Sequence, residues 1–567
     1  MLDVVIRGGS VIDGSGAAPR TADVGIAGNR IAEIGRITAP AQRTIDADGL
    51  TVAPGWVDIH THYDGQVCWD AELAPSSWQG VTTVLMGNCG VGFAPVRPGG
   101  HDFLINLMEG VEDIPGTALH EGVKFNWESF PQYLDAIDKP FAIDVAAQLP
   151  HGALRTYVMG ERAAELAAAT EAERAEMGRL TEEAIRAGAF GFSTSRTVFH
   201  RTKSGGPTPS LTAAEAELLA IAEGMRRAGA GVVEWVSDFD DLEADFGLLR
   251  RMAEHAGRPA SVGVAQRDDR PEEWRRTLAL VDQARRDGID IKVQVAGRPV
   301  GILLGLESSF HPLMDYPNYV AIAHLPLAER VRLLKDPAAR ARILAVPPPA
   351  RPPGLDMLLS RLDRMFPLGD PPTYEPAKDA SVAARAQREG RAAIDIVTDM
   401  LIERDGTAMI YATARNFTDF TLDAVREMIQ HPQALMGLGD GGAHVATLCD
   451  ASMPTFAAAW WGRDRPQGRL PLEWIVMRQA RDTARAVGLN DRGVLAPGYR
   501  ADLNLIDYRR LNALQPHLAY DLPAGGKRLL QKAAGYVATL CGGEVTFEEG
   551  RFTGALPGRL VRGAQSI

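Results

Sequence analysis

The chain is poor in cysteine: Cys68, Cys89, Cys449 and Cys541 are the four in 567 residues, too few and too scattered for a disulfide framework. Each is a small buried hydrophobe or a thiolate with chemistry to perform, and its neighbours must distinguish the two. No run of ~18 apolar residues occurs, so no segment reads as a membrane span. The opening MLDVVIRGGSVIDGSG lacks a basic stretch followed by a long apolar one, which predicts a soluble, cytoplasmic protein. Positive charge is not in excess: 60 Lys and Arg against 72 Asp and Glu leave a net charge of -12. With no basic stripe, a nucleic-acid partner held through its phosphates is excluded as a reading.

What remains is ordinary globular composition, 46% hydrophobic and 23% charged, in a chain long enough for one large domain of ~300 to 400 residues and a smaller one. The two ends read as short strands with glycine turns, DVVIRGGSVID and DVGIAGNRIAEIG at the start, RADLNLIDY and LCGGEVTFEEGRFTG at the close. Residues 1–54 and 490–567 are thus expected to combine into a small, discontinuous, β-sandwich-like domain. Between them lie eight apolar, β-rich runs separated by helical stretches: TVAPGWVDIHTH, GVTTVLMGNCG, FAIDVAAQL, GAFGFSTS, GVVEWVSD, PASVGVAQ, DIKVQVAG and ALMGLGDGG. This alternation predicts an α/β fold, a TIM-like (β/α)8 barrel over residues 55–489, with its active site at the C-terminal strand ends. Residues 301–405 are too long for a plain loop and read as a helical lid or a substrate subdomain, within which VPPPARPPG is an extended surface segment.

The first of those strand ends carries His60-Thr61-His62. Alternate side chains of an extended strand leave the same face, so the two imidazoles can point together at one spot ~6 to 7 Å further along. They share an ion or pack in a core. MGLGDGGAH places Asp440 before two glycines, exposed at a strand end either as metal ligand and proton acceptor or as a helix N-cap. MGNCGVG sets Cys89 among small residues, within reach of a divalent ion or inert. LPHGALR adds His151 and Arg155, and SRTVFHR adds Arg196 and His200; these bind substrate anions or cap helices.

Taken together, VIRGGSVIDGSG, VAPGWVDIHTHYDG, GVTTVLMGNCGVGFAPVRP, LINLMEGVEDIPG, HGALR, GAFGFSTS, GLGDGGAH and RGVLAPGYRADLNLID resemble the amidohydrolase superfamily, in its N-acyl-D-amino-acid deacylase (D-aminoacylase) branch. The resemblance implies a metal-dependent hydrolase on a distorted (β/α)8 barrel, with His60 and His62 as ligands, Cys89 as the thiolate ligand and Asp440 as ligand or general base. It also implies metal-binding histidines at the fifth and sixth strand ends, where the alignment supplies Trp235 and Val264, with Glu234 on the opposite strand parity and Gln266 a weak neutral ligand. His444 and His200 are the candidates to replace the lost imidazoles. Two histidines with anionic ligands suit one zinc ion better than two. The expected reaction is hydrolysis of an amide by metal-activated water, with Asp440 taking the proton. The expected substrate is a small N-acyl amino acid, whose carboxylate calls for an arginine among Arg155, Arg196, Arg298 and Arg415. Trp235, Gln266 and His444 join the residues expected around the substrate. A lactam or ester substrate, self-association into a homo-oligomer, and a non-catalytic scaffold on the same fold are the alternatives.

Overall fold

The computed structural model describes residues 1–351 and 353–567. Eight parallel strands alternate with helices: β1 (Trp56–Asp58), β2 (Val81–Met86), β3 (Asp144–Ala147), β4 (Gly191–Arg196), β5 (Val232–Ser237), β6 (Ala260–Gly263), β7 (Ile291–Val295) and β8 (Ala434–Met436). β1 to β3 form one three-stranded sheet, and β8-β7-β6-β5-β4 continue into Leu149–Pro150, the segment that directly follows β3, as a six-stranded one. Across the remaining seam, Asp440 N donates to His60 O at 3.0 Å and His62 N to Gly441 O at 2.7 Å. The chain just past β1 therefore lies against the chain just past β8. The strands read as near-continuous apolar runs because both faces are covered: all six residues of VTTVLM in β2 are buried.

The helices between them start and stop on local signals. Thr170 and Glu173 form a reciprocal capping box at the head of Glu171–Ala187, and Gly188, at φ 119°, ends it in the left-handed region. Asp241 caps Leu242–Ala256 through the Ala244 amide.

Both chain ends meet in a nine-stranded sheet, built from Leu2–Val11, Arg20–Ala27, Arg30–Gly35, Ala41–Asp46 and Thr51–Pro54 together with Leu503–Ile506, Tyr536–Cys541, Glu544–Glu548 and Arg551–Phe552. It has its own apolar cluster, including Ile6, Val24, Ile26, Leu503 and Leu540. The run TVAPGWVDIHTH, expected as one strand, is divided between the two sheets at Gly55: Thr51–Pro54 pairs with Leu503–Ile506, and β1 pairs with β2. A Cβ at Gly55 would stand 2.1 Å from Thr82 Oγ1, so the crossing between sheets needs glycine. Ion pairs bind the two parts further. Asp144 of β3, fully buried, accepts from Arg492 Nη1 at 2.6 Å and from Arg500 Nη2 at 3.0 Å, with Arg500 Nε at ion-pair distance, 2.9 Å.

After β7 the chain forms an antiparallel sheet of Val300–Leu304, Met365–Pro367 and Ile410–Arg415, with helices including Leu327–Lys335, Pro337–Leu344, Val382–Glu389 and Ala393–Ile402 packed on a separate cluster around Leu304, Val331, Met365 and Val397. In VPPPARPPG, residues 346–351 carry no regular element and are mostly exposed, Pro353–Ser360 is helical, and Pro352 lies outside the described residues. No helix among the described residues is long and apolar enough to cross a membrane.

Candidate metal centre

Beyond β1 the chain stays extended, which puts His60 and His62 on one face while Thr61 between them turns away and donates Oγ1 to Leu85 O at 2.9 Å. The two rings stand edge to face, centroids 5.4 Å apart. Cys89 enters from the turn after β2, held at φ 55° between Gly87 and Gly90. Asp440 follows β8 at φ 44°, and His444 lies four residues on at φ 48°. Three non-glycine residues in the left-handed region within one site is strain that the surrounding structure must hold in place.

Their side chains converge. His60 Nε2 is 3.3 Å from Cys89 Sγ and 3.5 Å from Asp440 Oδ1, and His62 Nε2 is 3.8 Å from the same oxygen. One donor atom each from His60, His62 and Cys89 fit within 4.8 Å of one another. A tetrahedral zinc with bonds of ~2.1 Å to nitrogen and ~2.3 Å to sulfur needs its donor atoms ~3.4 to 3.7 Å apart. The spacing fits such an ion.

Electrostatics points the same way. Burial pushes Asp440 and Asp58 up to about 7 and Glu234 up to about 8, and drives Glu112 well above the usual carboxylate range, each reinforced by nearby carboxylates. Burial likewise raises the Cys89 thiol, with Glu234 and Glu112 adding to the shift. Among the described residues, no lysine or arginine nitrogen comes within ion-pair distance of these four carboxylates. A thiol and several carboxylates buried together without a protein cation are what a divalent ion stabilises.

The imidazoles are presented through Nε2. Gln294 of β7 donates Nε2 to Ser261 Oγ at 2.9 Å, which leaves its Oε1 to accept from His60 Nδ1 at 3.0 Å. Burial pulls His60 down to about 4, so the ring is neutral, as a ligand must be. Glu234 sits behind the pair, accepting from Cys89 N at 2.9 Å and standing 4.0 Å from His60 Nδ1.

Several expectations are corrected here. Glu234, not Trp235, faces the histidines: Ser193, Glu234 and Gln294 share the site's face of the strands, and Trp235 points to the helix-covered side, fully buried with Arg196 5.8 Å from its ring. His151 lies on that far side too, bonded to Thr194 at 2.8 Å and Glu217 at 2.9 Å, and Arg155 spends its guanidinium on Glu217, Pro209 O and Ala167 O. Gln266 ties the end of β6 to Asp419 and Thr418. Arg298 is fully buried over the Tyr374 ring at 4.0 Å and bound to Asp450 at 2.6 Å. These five residues are spent on packing networks rather than on a ligand. His200 and His444 do stay with the site. His200 Nδ1 is 3.0 Å from Ser195 Oγ, burial and the nearby His444 and His60 drive it down to about 3, and His444 Nε2 is 3.8 Å from Glu112 Oε2.

Glu112 and Gln294 escaped the sequence reading. A lone glutamine in IKVQV, a polar group inside an apolar strand, was the available signal for Gln294. Glu112 arrives from a helix, His101–Glu112, and carried none.

The model of the amidohydrolase family matches residues 43–547. A D-aminoacylase of Alcaligenes xylosoxydans xylosoxydans is 28% identical over 569 residues, covering 99% of this chain and 97% of the relative. An N-acyl-D-glutamate deacylase of Bordetella bronchiseptica, solved with zinc and a phosphonate that mimics the tetrahedral intermediate of its reaction, aligns with a TM-score of 0.65 at 25% identity over 99% of both chains. A D-aminoacylase studied for the role of its binuclear metal centre aligns with a TM-score of 0.66 at 23% identity over 99% of this chain and all of the other.

Proposed function

Because the chain belongs to the amidohydrolase family, we propose that it is a metal-dependent hydrolase that cleaves the amide bond of an N-acyl amino acid, of D configuration as in the deacylases it resembles. The observation that carries this is the convergence of His60, His62, Cys89 and Asp440 from three strand ends onto a pocket of buried, uncompensated carboxylates. One zinc ion is the proposed occupant. Where the family resemblance implies two further histidines, β5 presents Glu234 and β6 ends in Gly263, around whose Cβ position there is nothing within 4 Å. We also read the eight parallel strands as a distorted barrel over residues 55–489, the nine-stranded sheet as a second domain from residues 1–54 and 490–567, and residues 301–405 as the cover over the strand ends, in support of which Ser309 Oγ donates to Asp113 at 2.8 Å.

When bound, the ion lowers the pKa of a water molecule and polarises the amide carbonyl. His60 and His62 stay neutral and aim Nε2 inward, and Cys89 contributes the anionic donor. Asp440 keeps 22% of its side chain exposed where His60, His62, Glu112 and Glu234 keep 3% or less, so of these carboxylates it is the one that meets both water and substrate. It accepts the proton of the attacking water as the C–O bond forms, and gives it to the amide nitrogen as the C–N bond breaks, yielding a carboxylate and a free amino acid.

Arg415 takes the substrate carboxylate. It ends the strand Ile410–Arg415, and its neighbour Asn416 is bonded to Gln266 at the end of β6 through both its amide and its side chain. Burial and the neighbouring Arg267 lower its pKa, no carboxylate among the described residues comes within ion-pair distance of it, and Phe199 lies 5.8 Å away, next to His200. A half-buried cation left unpaired beside the site suits an anionic substrate. The reading is tested by incubating zinc-loaded protein with matched N-acetyl-D- and N-acetyl-L-amino acids and measuring released amine. Release from D forms is expected; none from either series contradicts the proposal.

A further inference from the structure

The mechanism leaves one buried carboxyl group unused. Glu112 is the last residue of the helix His101–Glu112, 1% exposed, and its side chain lies inside the site between two histidines: Oε1 is 3.2 Å from His62 Nδ1 and Oε2 is 3.8 Å from His444 Nε2. His62 Nδ1 and Glu112 Oε2 are buried without an aligned hydrogen-bond partner. Such a pair is costly unless it does something for the site. The backbone holds it there: Val445 N donates to Glu112 O at 3.2 Å, and Asp113 Oδ2 accepts from Thr447 Oγ1 and Ser309 Oγ. The helix end is thus pinned to the loop that carries Asp440 and His444.

We propose that Glu112 is a positioning residue: it accepts the Nδ1–H of His62, fixing the tautomer whose Nε2 faces Asp440, and its second oxygen anchors His444 beside the site. This rests on the metal reading above. The two imidazoles then have unlike supports, the neutral amide of Gln294 behind His60 and the carboxyl of Glu112, ionised once an ion compensates it, behind His62. A carboxylate partner makes an imidazole the more basic donor, and partners of this kind govern metal affinity by ~10- to 100-fold. Glu112 is therefore expected to set how tightly the ion is held, without touching substrate.

The test is zinc affinity, measured by competition with a chromophoric chelator on purified full-length protein, for wild type, Glu112→Gln and Glu112→Ala, with thermal unfolding in excess chelator as a control for structure. The glutamine keeps the shape and an acceptor but loses the charge. The expected order of affinity is wild type, then Glu112→Gln, then Glu112→Ala, with the alanine variant ~10- to 100-fold weaker, and with unfolding of the metal-free glutamine variant near wild type. If Glu112→Ala does not fold, Glu112→Gln decides alone: a loss of affinity supports the role, and wild-type affinity overturns it. Equal affinities in all three proteins overturn it while leaving the metal site intact, whereas a wild-type protein that binds no zinc overturns both.

Discussion

Replacing Asp440 by Asn separates the proposed roles of the site. Asparagine has nearly the same shape and tolerates the left-handed backbone, φ 44°, that this position requires, so the loop should not move. What it removes is the ability to take a proton. Neither carboxylate that faces the histidines from behind stands ready to replace it: Glu112 and Glu234 lie toward the Nδ1 edges of His62 and His60, and their side chains are 1% and 2% exposed against 22% for Asp440. A lost general base costs ~100- to 10,000-fold, or ~2.7 to 5.4 kcal/mol in the barrier. The expectation is a fall in kcat within that range and a change in KM below ~3-fold, since KM changes little when a transition-state interaction is removed. Initial rates should be read at saturating zinc, with zinc content and circular dichroism measured on the same preparation. If Asp440→Asn is folded, carries its zinc and keeps more than about a tenth of wild-type kcat, a loss smaller than a general base accounts for, the assignment of the base fails and His444 is next to test.

Three other perturbations test separate parts of the account. Cys89→Ala should lower zinc occupancy and activity together, and Cys68→Ala, away from the donor set, should change neither; full occupancy in Cys89→Ala, read by elemental analysis, would return Cys89 to simple packing. Arg415→Met should lower kcat/KM for an N-acyl amino acid ~10- to 100-fold, the worth of a charge-assisted contact, and change that for the carboxamide-capped analogue much less; equal losses on both would remove Arg415 from the carboxylate. Asp144→Ala removes the buried carboxylate that Arg492 and Arg500 share, leaving them Asp491 and Asp502 respectively, and should cost ~1.5 to 3 kcal/mol in urea unfolding, the worth of hydrogen bonds to a charged group; a loss under ~1 kcal/mol would show that this cluster does not hold the two sheets together.

The sequence made the strand-end chemistry legible because it is local. His60 and His62 sit two apart on one extended segment, and Asp440 precedes the Gly441-Gly442 turn, so period and turn residues were enough to aim all three. Alternation in β5 was harder. A shift of one residue exchanges the faces of a strand, and an alignment that set Trp235 at the site hid Glu234, which the pairing with Ser193 and Ser261 places there. The same alternation sends His151 to the far side, where Thr194 rather than Ser193 is its neighbour. The arginines misled for another reason: Arg155 and Arg298 follow strand ends, but their partners Glu217 and Asp450 lie 62 and 152 residues away in sequence. Glu112 could not be found from pattern at all, since only the packing of its helix end on residues 445–447 brings it to His62.

We propose that this one cluster of residues holds a single catalytic metal ion. Its most direct test is to strip the purified protein with chelator, titrate zinc back, and follow bound zinc by elemental analysis alongside amide hydrolysis. Activity should return in proportion to zinc and reach its full value at about one ion per chain, as expected for one tetrahedral site. Activity that persists in fully stripped protein, or that appears only as a second stoichiometric ion binds, would contradict it.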